Sequence, residues 1–431
     1  MANFPKSAVI VGGSLAGLMH GLILKRHGTN VTILEQEPAT TRSSHNAGIG
    51  FGPQTEELLR DYCDLSGLEG YYAPAVKTRL ALRKKAKFKE INVVRHLTSW
   101  VLLYRILRAN FDGLGSSTIP RPPPPRKNDG NAEYRSGQRV ISLEYQAPDS
   151  TVTVYFVDAA TGKESSLTTE LLIGADGVNS VVRDLVQRQT SQRKEYAGYV
   201  AWRGTVPDDA VSEATKQYFS DRTCANILHR SSIITYMIPS DDHNGSGTAR
   251  RLINFVWYYN VAPGSTTMIE VFTDSTGHQH QNTVPSGLVK PEVWTKVKKT
   301  MLDRMAEPFV ELIGTCDISR VFVTKVNDVV CSDSASFYNG KVLLVGDALV
   351  AFRPHFAVAT EQAAGHSLGL TKVWEGEKSL HEWKKEVTAY GKRTWLASRV
   401  LGEFGQGTWF SFLRTVFAYL VLLIQLKLGR G

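Results

Sequence analysis

Hydrophobic positions at the start of the chain follow two patterns in turn. Residues 8–11 form a short, wholly apolar run, which is typical of a strand buried on both faces. A glycine-rich turn follows, residues 18–26 have helical spacing, and residues 31–34 form a second apolar run that ends at Glu35. Strand, turn, helix and strand in this order predict one βαβ unit of a dinucleotide-binding fold.

The turn of this unit has the small residues that binding of a pyrophosphate requires. It comprises Gly12, Gly13, Ser14, Leu15, Ala16 and Gly17. Gly12 permits a sharp turn and Gly17 lets the helix pack closely on the strand, while backbone N–H groups and the helix N-terminus face the phosphate charge. Ser14 replaces the second glycine of the common fingerprint, and an ordinary α/β crossover with a glycine turn is the alternative interpretation.

An acidic residue, Glu35, ends the second predicted strand about 20 residues after the glycine turn, where such a residue binds a ribose hydroxyl. Because a carboxylate at this position disfavours a 2′-phosphate, the unit predicts FAD or NAD rather than NADP. Gln36 follows directly, and Gly48 opens a glycine-rich loop whose backbone can lie against a flat ligand. Arg42, between them, is a candidate contact for a phosphate or the flavin edge.

Two predicted helices and a proline-rich segment come next. Residues 54–62 and 98–111 have helical spacing, and the second segment places Arg105 and Arg108 one turn apart. An arginine on this otherwise apolar helix is either a cofactor clamp or a surface residue. Residues 119–126, IPRPPPPR, exclude a helix or a central strand and predict an exposed, extended loop.

Two further turns follow apolar runs. Residues 171–174 lead into a turn with Asp176, and residues 342–345 lead into a turn with Gly346 and Asp347. Because these acids stand at the ends of buried strands, both turns are predicted to face a ligand, and Asp347 is a candidate to bind the hydroxyl groups of a sugar-like group.

The loop after Asp347 contains further candidates. Pro354 and His355 lie in it, and a long helix starts near Thr360, so that N-terminal N–H groups of the helix can face an electron-rich ring. His355 is either a group that titrates or hydrogen-bonds a substrate, or a structural histidine.

From residue 196 to about residue 323 the apolar period changes to two, which predicts a mostly antiparallel sheet in a second lobe inserted into the first. The alternating runs are residues 199–205, 233–238, 252–259 and 267–272. Aromatic residues here, Trp202 and Tyr236 among them, are candidates to line a pocket for a flat substrate, although many must belong to the core. Residues 139–145 and 151–157 also alternate and predict an antiparallel hairpin or meander.

Two helical segments are predicted in the later part of the chain. Residues 292–312 read as helical, and residues 409–428 are strongly apolar but are broken by Arg414. The unbroken apolar stretch is shorter than the ~20 residues needed to span a bilayer. We therefore predict a helix that packs on the protein body, with a position on a membrane surface or a true span as the alternatives.

Composition narrows the classes of function. A chain of 431 residues, 42% of them hydrophobic, suits two packed lobes with a large core. The net charge of +9 is mild for this length, so we predict an anionic cofactor or substrate and no nucleic acid. Four scattered cysteines without metal spacing or close pairs predict no metal site and a reducing, cytoplasmic setting. The N-terminus has no apolar signal region, so no secretion signal is expected.

The three motifs in this order resemble those of the single-component flavoprotein aromatic hydroxylases, the para-hydroxybenzoate hydroxylase-like group, and the resemblance covers essentially the whole chain. The first turn with Glu35 resembles the FAD-binding fingerprint, residues 174–177 the DG motif, and residues 346–354 the GD motif of this family. The Arg353-Pro354-His355 form of the last motif is similar to that of the 2,6-dihydroxypyridine hydroxylase branch, which also has a serine in the fingerprint.

The resemblance implies an α/β fold with a Rossmann-like, glutathione reductase-type FAD-binding domain, an inserted, mainly antiparallel β-sheet substrate domain, and a C-terminal helical segment. It assigns residues 1–190, with an embedded β segment and the proline-rich loop, and residues 326–375 to the FAD-binding domain. Residues 191–325 form the substrate domain, and residues 376–431 form the C-terminal helices with the apolar tail.

The resemblance also implies roles for single residues. Glu35 would bind the adenosine ribose, Asp347 the ribityl–pyrophosphate region, and Asp176 would support the pyrophosphate and the encounter with nicotinamide. The family's glycine pair after the motif proline is replaced by alanines. The full set of predicted cofactor contacts is Gly12, Gly13, Ser14, Leu15, Ala16, Gly17, Glu35, Gln36, Arg42, Gly48, Arg105, Asp176, Gly346, Asp347, Pro354, Ala357, Ala359 and Thr360. The predicted catalytic residues are His355, Tyr236 and Trp202.

The implied reaction is hydroxylation of an activated aromatic or heteroaromatic ring, a phenol or a hydroxypyridine, with FAD, O₂ and NADH or NADPH, through a flavin C4a-hydroperoxide. Because an ionised ring is the better nucleophile, the pocket is expected to favour the anion, and His355 is the candidate for that role. Open alternatives are an enzyme that epoxidises or dearomatises a larger meroterpenoid or polyketide, a flavin-dependent reductase, and a flavin-binding protein without turnover. A homodimer and a peripheral membrane contact through the apolar tail also stay open.

Overall fold

The computed structural model describes residues 3–38, 47–187, 194–240 and 251–428. In these ranges the strands are β1 (Ser7–Val11), β2 (Asn30–Glu35), β3 (Gly48–Phe51), β4 (Ala73–Leu82), β5 (Lys85–Ser99), β6 (Ala132–Ser136), β7 (Gln138–Gln146), β8 (Thr151–Asp158), β9 (Glu164–Thr169), β10 (Leu171–Gly174), β11 (Lys194–Pro207), β12 (Arg222–Leu228), β13 (Ser231–Pro239), β14 (Arg251–Asn260), β15 (Thr283–Val284), β16 (Phe322–Val329), β17 (Ser336–Phe337) and β18 (Val342–Leu344). The α-helices of the same ranges are α1 (Leu15–Arg26), α2 (Pro53–Tyr62), α3 (Trp100–Phe111), α4 (Val181–Val186), α5 (Glu213–Phe219), α6 (Thr266–Phe272), α7 (Pro291–Met301), α8 (Glu307–Thr315), α9 (Ala359–Trp374), α10 (Leu380–Gln406) and α11 (Trp409–Lys427).

A six-stranded sheet, of order β17-β18-β10-β1-β2-β6, holds the predicted βαβ unit. β1 pairs in parallel with β2 and β10, and β10 pairs in parallel with β18, so the three predicted turns leave the sheet at the same edge. Ile10, Leu172 and Leu343 in the middle of these strands are at most 1% exposed. The prediction that these apolar runs are strands buried on both faces is confirmed.

A nine-stranded sheet, of order β15-β16-β11-β14-β13-β12-β4-β5-β3, forms the second lobe and is antiparallel except for the pair β4 and β12. It includes three strands from residues 48–99, which the sequence analysis placed in the first part of the chain. The backbone N–H of Gly48 in the edge strand β3 donates to Asn254 Oδ1 in the central strand β14 over 3.0 Å, which shows that the sheet curls back on itself. The domain boundary at residue 191 stays a prediction, but strands from both sides of it build this sheet.

Two segments of the second lobe differ from the prediction. Residues 267–272 were expected to be a strand and form helix α6, because the Ser265 side chain accepts a hydrogen bond from Met268 N and caps the helix N-terminus. The predicted helix over residues 292–312 is two helices, α7 and α8, with Pro308 in the first turn of α8.

The remaining segments of the first half follow the prediction closely. The third sheet, of order β7-β8-β9, is antiparallel and confirms the predicted meander. Residues 119–126 belong to no helix or strand, and Pro124 and Pro125 are exposed. Ile119 anchors one end of this loop in the core at 2% exposure, and Arg126 anchors the other through an ion pair with Asp64.

The chain ends in a helical hairpin of α10 and α11. A single helix of the described residues, α11, is long and apolar enough to cross a membrane by length and composition, and very little of it is buried. Trp409, Phe410 and Phe417 on this helix are each at least 70% exposed. Most of α11 therefore lies outside the protein core.

Candidate active site

The glycine turn between β1 and α1 has no room for side chains. Gly12 has a φ of +98°, and a Cβ on it would lie 2.5 Å from the carbonyl oxygen of Ala175. A Cβ on Gly17 would lie 1.9 Å from Gly12 O, and one on Gly13 would overlap the ring of Tyr134. Glycine is therefore required at all three positions, and the backbone stays open to a ligand from the side of the turn.

The N-terminus of α1 is available to an anion. Ser14 is the N-cap residue, and its side chain makes no capping hydrogen bond. The first-turn N–H groups, which include those of Leu15 and Ala16, have no intrahelical acceptor. A negatively charged group at this position would gain both hydrogen bonds and the favourable helix dipole.

Glu35 closes the same turn from the end of β2. Its carboxylate is buried and accepts hydrogen bonds from the backbone N–H of Gly13 at 2.7 Å and of Glu37 at 2.9 Å. Gln36, between Glu35 and Glu37 in the chain, is exposed. The acid is thus fixed beside the glycine turn, where the sequence predicted it.

The predicted arginine contacts have different outcomes. Arg42 lies outside the described residues. Arg105 in α3 donates from Nη1 to Thr118 Oγ1. Arg108, one turn later, lies 3.6 Å above the Tyr134 ring and pairs with Asp112 at 2.8 Å. Arg108 therefore stabilises the packing of α3 against β6. Arg105 stays a predicted cofactor contact.

The carboxylate of Asp176 is hydrogen-bonded within its own turn. Its carboxylate accepts hydrogen bonds from Ser180 Oγ and from the backbone N–H groups of Val181 and Val182, at the start of α4. Burial raises the pKa of this carboxyl. Because these chain donors already occupy the side chain, Asp176 shapes the turn, and direct contact with a cofactor stays a prediction.

Asp347 differs from Asp176 in having no donor. Gly346 has a φ of +56°, and a Cβ on it would lie 3.0 Å from the Cβ of Ala16, so the turn lies against the first turn of α1. No described residue donates a hydrogen bond to the Asp347 carboxylate, and burial raises the pKa of Asp347 to about 6. The hydroxyl groups of a dinucleotide would supply the missing donors, so the residues at this edge fit FAD.

The loop after this turn approaches β3. Pro354 begins a short 3₁₀ turn, and Ala357 follows in the left-handed region with a φ of +51°, a conformation that favours glycine. A Cβ on Gly50 would lie 3.4 Å from the Ala357 Cβ. Ala359 is the first residue of α9, and Thr360 in its first turn is buried. The four predicted contacts Pro354, Ala357, Ala359 and Thr360 thus form one continuous segment.

His355 points from this loop towards the nine-stranded sheet. Its Nε2 lies 2.7 Å from Tyr199 Oη, and its ring centroid lies 4.5 Å from that of Tyr258. Burial and the charge of Arg353 lower the pKa of His355 to about 3. The imidazole is therefore neutral near pH 7, and the role of His355 as the group that favours an anionic substrate stays a prediction.

Tyr236 and Gly48 meet on the inner face of the curled sheet. Tyr236 in β13 lies directly opposite Asn254 in β14, and a Cβ on Gly48 would lie 2.7 Å from the Tyr236 ring. Burial raises the pKa of Tyr236 to about 12. Strand alternation places Tyr199 and Tyr258 on the same face, so three tyrosines line the sheet where the loop with His355 approaches it.

The structure does not bring Trp202 to this face. Trp202 follows Tyr199 by an odd number of positions in β11 and therefore points to the opposite side of the sheet. It is fully buried, lies opposite Trp257, and its ring centroid is 5.4 Å from that of Trp294 in α7. The prediction of Trp202 as a catalytic residue is corrected to a core residue of the second lobe.

Sequence reasoning missed two polar residues on the inner face, Arg203 and Asn254. Arg203 is partly buried and has neither an ion pair nor a side-chain hydrogen bond within the described ranges, and its Nε is fully enclosed. Asn254 is 1% exposed, and its Nδ2 has no acceptor. The signal that could have found them is a polar side chain in phase with Tyr199 in an otherwise apolar strand.

Behind the loop, towards α10, the charged groups are all paired. Arg353 Nε lies 2.7 Å from Asp328 Oδ2, and Arg353 Nη1 lies 2.9 Å from Glu403 Oε1. Asp328 also accepts from Trp395 Nε1 at 3.0 Å and lies 3.4 Å from Arg399 Nη1. These contacts fasten the loop with His355 to the long helix α10.

Comparison with known proteins agrees with this geometry. A family described as "FAD binding domain" matches residues 6–92, and one described as "FAD binding domain-like" matches residues 196–328. The first range contains the glycine turn and Glu35, and the second contains most of the nine-stranded sheet.

Three relatives extend the comparison over most of the chain. A 2,6-dihydroxypyridine 3-monooxygenase of Paenarthrobacter nicotinovorans is 26% identical over 389 residues, which are 89% of this chain and 87% of that protein. The solved structure of 2,6-dihydroxypyridine-3-hydroxylase from Arthrobacter nicotinovorans superposes with a TM-score of 0.77 and 25% identity, and 94% of each chain is covered. Klebsiella pneumoniae HpxO, solved with FAD and uric acid, superposes with a TM-score of 0.70 at 18% identity, over 96% of this chain and 92% of that one, and shows the shared fold.

The sequence motifs, the converging turns and these relatives lead to one conclusion. The chain binds FAD and has the fold of the FAD-dependent monooxygenases. Over most of its length it is similar to FAD-dependent aromatic hydroxylases, among them 2,6-dihydroxypyridine 3-monooxygenase.

Proposed function

We propose that the enzyme uses NADH or NADPH to hydroxylate a small phenol or hydroxypyridine. The balanced reaction consumes the aromatic substrate, O₂, the reduced nicotinamide and one proton, and it yields the hydroxylated ring, the oxidised nicotinamide and water. The observation that supports this proposal is the tyrosine-lined inner face of the sheet, which lies directly beside the segment with Asp347 and Pro354. Tyrosine side chains suit contact with a flat, polar ring.

Bound FAD would supply hydride acceptance and oxygen activation, and the chain supplies position and shelter. The glycine turn and the N-terminus of α1 would hold the pyrophosphate, Glu35 the adenosine ribose, and Asp347 the hydroxyl groups of the ribityl chain. Arg105, Gly48 and Thr360 are further proposed contacts. The close packing of Gly50 on Ala357 brings β3 to the same segment and limits the access of water.

Tyr199, Tyr258 and neutral His355 act together on the substrate side. The bond between Tyr199 and His355 fixes the imidazole, and Gly402 of α10 packs so closely that a Cβ there would lie 2.7 Å from Tyr199 Oη. The trio thus forms a rigid wall that orients a ring and excludes water. Tyr236, whose hydroxyl has no hydrogen bond to any described residue, is the proposed polar contact for a substrate hydroxyl.

The test is oxidation of NADH and NADPH in air by the FAD-loaded enzyme, with a panel of phenols and hydroxypyridines that includes 2,6-dihydroxypyridine. We expect one compound to stimulate oxidation and to gain one oxygen atom, which isotopically labelled O₂ must supply. The matched control is Arg320→Gln, an exposed change in the 3₁₀ turn before β16. Stimulation by a ring compound without label in any product, or no stimulation by the whole panel, contradicts the proposal.

A peripheral contact with an anionic membrane from the cytoplasmic side is also part of the proposal. Helix α11 has Arg414 and Lys427 as its only charged residues, so its exposed apolar surface carries only positive charge. The four cysteines are buried and form no disulfide, which suits a reducing compartment.

Flotation with phosphatidylserine-containing and phosphatidylcholine vesicles tests the membrane contact. We expect binding to the anionic vesicles that is lost in a Phe410→Ser, Phe417→Ser double variant and kept in Val76→Ser, an exposed change elsewhere. If the wild type ignores both vesicles and the double variant converts a dimer into a monomer, the surface binds a second copy of the chain instead.

A further inference from the structure

The turn between β4 and β5 and the start of β5 contain a dense group of positive charges, which we call the basic hairpin. Its exposed cations are Arg83, Lys84, Lys85, Lys87 and Lys89. The single acid of the two strands, Glu90, pairs with Arg79 at 3.0 Å. Within the described ranges no ion pair involves any of the five cations, so their charge is available to an anionic partner.

Exposed apolar side chains accompany these charges. Leu82 directly precedes the turn and is 40% exposed, and Phe88 stands between two of the lysines and is 57% exposed. A bilayer surface offers anionic headgroups to lysines and an acyl boundary to apolar side chains. The basic hairpin therefore has both kinds of group that such a surface binds.

The sheet register places the basic hairpin at the same edge as the end of α10. Leu82 in β4 pairs with Ile227 in β12, and Ile227 pairs with Ser232 in β13. Because neighbouring strands are about 4.8 Å apart, Ser232 lies about 10 Å from Leu82. The side-chain amide of Gln406, the last residue of α10, lies 3.0 Å from Ser232 Oγ. The end of α10 is thus two strands away from the basic hairpin.

Helix α11 begins at this same corner. Asn260 Nδ2 in β14 donates to the backbone oxygen of Gln406 over 2.8 Å, and Thr408, two residues later, is the N-cap of α11. In the first turn of α11, Trp409 and Phe410 are each at least 74% exposed. The basic hairpin and the apolar start of α11 therefore lie at one edge of the nine-stranded sheet.

We propose that the basic hairpin and the start of α11 form one membrane-binding surface, in which the hairpin binds the anionic headgroups and α11 inserts apolar side chains. The observations favour a lipid surface over nucleic acid because only the lipid surface takes up the exposed apolar side chains of both elements. The inference rests on the proposed membrane contact of α11 and adds to it the element that selects anionic lipids.

The two elements should depend on conditions in different ways. Attraction between exposed lysines and an anionic surface is screened by salt, with a Debye length of about 8 Å at physiological ionic strength, whereas apolar insertion is not. One Lys or Arg near an anionic bilayer strengthens binding by roughly fivefold. Loss of three cations from the hairpin should therefore weaken binding strongly and remove most of its salt dependence.

The experiment uses the full-length, FAD-loaded protein and vesicles of phosphatidylcholine, with and without phosphatidylserine. Flotation at low and high salt compares the wild type with a hairpin variant, Lys84→Gln, Lys85→Gln, Lys87→Gln, and with the Phe410→Ser, Phe417→Ser variant of α11. A matched control removes three exposed lysines outside the nine-stranded sheet: Lys6→Gln, Lys127→Gln, Lys163→Gln. FAD content shows which variants are folded, and the salt series on the wild type tests the charge contribution without any variant.

We expect the hairpin variant to bind the anionic vesicles at least about tenfold more weakly than the wild type, and the control variant to match the wild type. Wild-type binding should weaken at high salt. Equal losses in the hairpin and control variants, or wild-type binding that ignores salt, overturn the inference. So does a hairpin variant that loses affinity for double-stranded DNA or RNA and keeps its affinity for the vesicles.

The inference and the proposed function fail in different ways. If the α11 variant loses the vesicles and the hairpin variant does not, the membrane contact stands and the assignment of the hairpin is overturned. If the wild type binds neither vesicle, both are overturned, and the hydroxylase function depends on its own test. If the vesicle results are as expected but the enzyme oxygenates no ring, the hydroxylase function is contradicted and the inference stands.

Discussion

The junction with α10 and the space between the turns and the sheet both contain acidic and basic side chains, but among the described residues these are paired in the first region and unpaired in the second. At the junction, Asp328 is fully buried and is held by Arg353 and by Trp395. In the space on the other side of the loop, Asp347 and Arg203 have no partner of opposite charge among the described residues.

The difference separates structural groups from ligand-binding groups. A buried charge is costly unless it is paired, so a chain that needs a charge only for stability also supplies its partner. A partly buried charge that the chain leaves unpaired takes its partner from solvent or from a ligand. Asp347 has no donor among the described residues, and the hydroxyl groups of FAD are its proposed donors.

The largest expected effect comes from breaking the paired region. Asp328→Asn leaves Arg353 and Arg399 without their shared carboxylate, and we expect the free energy of unfolding to fall by about 3–5 kcal/mol. Urea unfolding measures this change. The control Asp333→Asn, whose side chain is 97% exposed, should change it by less than about 0.5 kcal/mol. Equal effects of the two substitutions would contradict the difference between the regions.

Substitution of Asp347 should raise the free energy of unfolding of the apoprotein, in contrast to Asp328→Asn, and this gain should depend on pH. Its pKa in the folded apoprotein is about 6, above the ~3.9 of an unfolded aspartate, so the folded state binds a proton more tightly and loses stability as pH rises from about 4 to 6. Asp347→Asn removes this loss, so the variant apoprotein should be more stable above pH 6, on the order of 1–3 kcal/mol, and equal to the wild type below pH 4. A variant that is less stable at pH 8 would show that the chain does pair Asp347.

Substitutions on the two faces of the nine-stranded sheet should have smaller effects on stability and on KM. Trp202→Phe should lower the free energy of unfolding by roughly 1–3 kcal/mol because it leaves a cavity in the core, and it should leave the KM for the substrate unchanged. Tyr236→Phe should leave stability nearly unchanged and raise KM by about three- to tenfold through one lost hydrogen bond. If KM changes in Trp202→Phe and not in Tyr236→Phe, Trp202 belongs to the substrate site.

Substitution of His355 should give the smallest change in the free energy of unfolding. Its pKa is about 3 in the folded protein and ~6.5 when unfolded, so the unfolded state takes up the proton first and the wild type loses stability as pH falls below 6.5. His355→Asn should cost about 1 kcal/mol at pH 8 through the lost bond to Tyr199, and this cost should shrink towards pH 5. Thermal unfolding at both pH values measures it, with exposed His381→Asn as the control. A cost that grows at low pH would mean that His355 is a cation in the fold.

Local chemistry explains what the sequence could predict. The three turns depend on glycine and on an acid directly after a buried strand, and these features are visible over a few residues. The structure places Gly12, Glu35 and Asp347 at one edge of the sheet as expected. The apolar runs of the parallel strands were equally clear, since burial on both faces leaves no polar position.

Long-range pairing explains what the sequence could not predict. Contact between Gly48 and Asn254 joins residues more than 200 positions apart, and the pairing of Arg353 with Asp328 depends on how α10 docks. Alternation shows that Trp202 and Arg203 face opposite sides, but it does not show which side holds the site. For that reason the prominent aromatic residue was chosen and its polar neighbour was missed.

The most direct test of the account is FAD binding to the Asp347→Asn apoprotein, measured by calorimetry together with its unfolding free energy. We expect FAD affinity to fall by at least about tenfold, the effect of one lost hydrogen bond to a charged group, while the apoprotein stays as stable as the wild type or becomes more stable. Wild-type affinity for FAD in this variant would contradict the claim that the unpaired carboxylate belongs to the ligand.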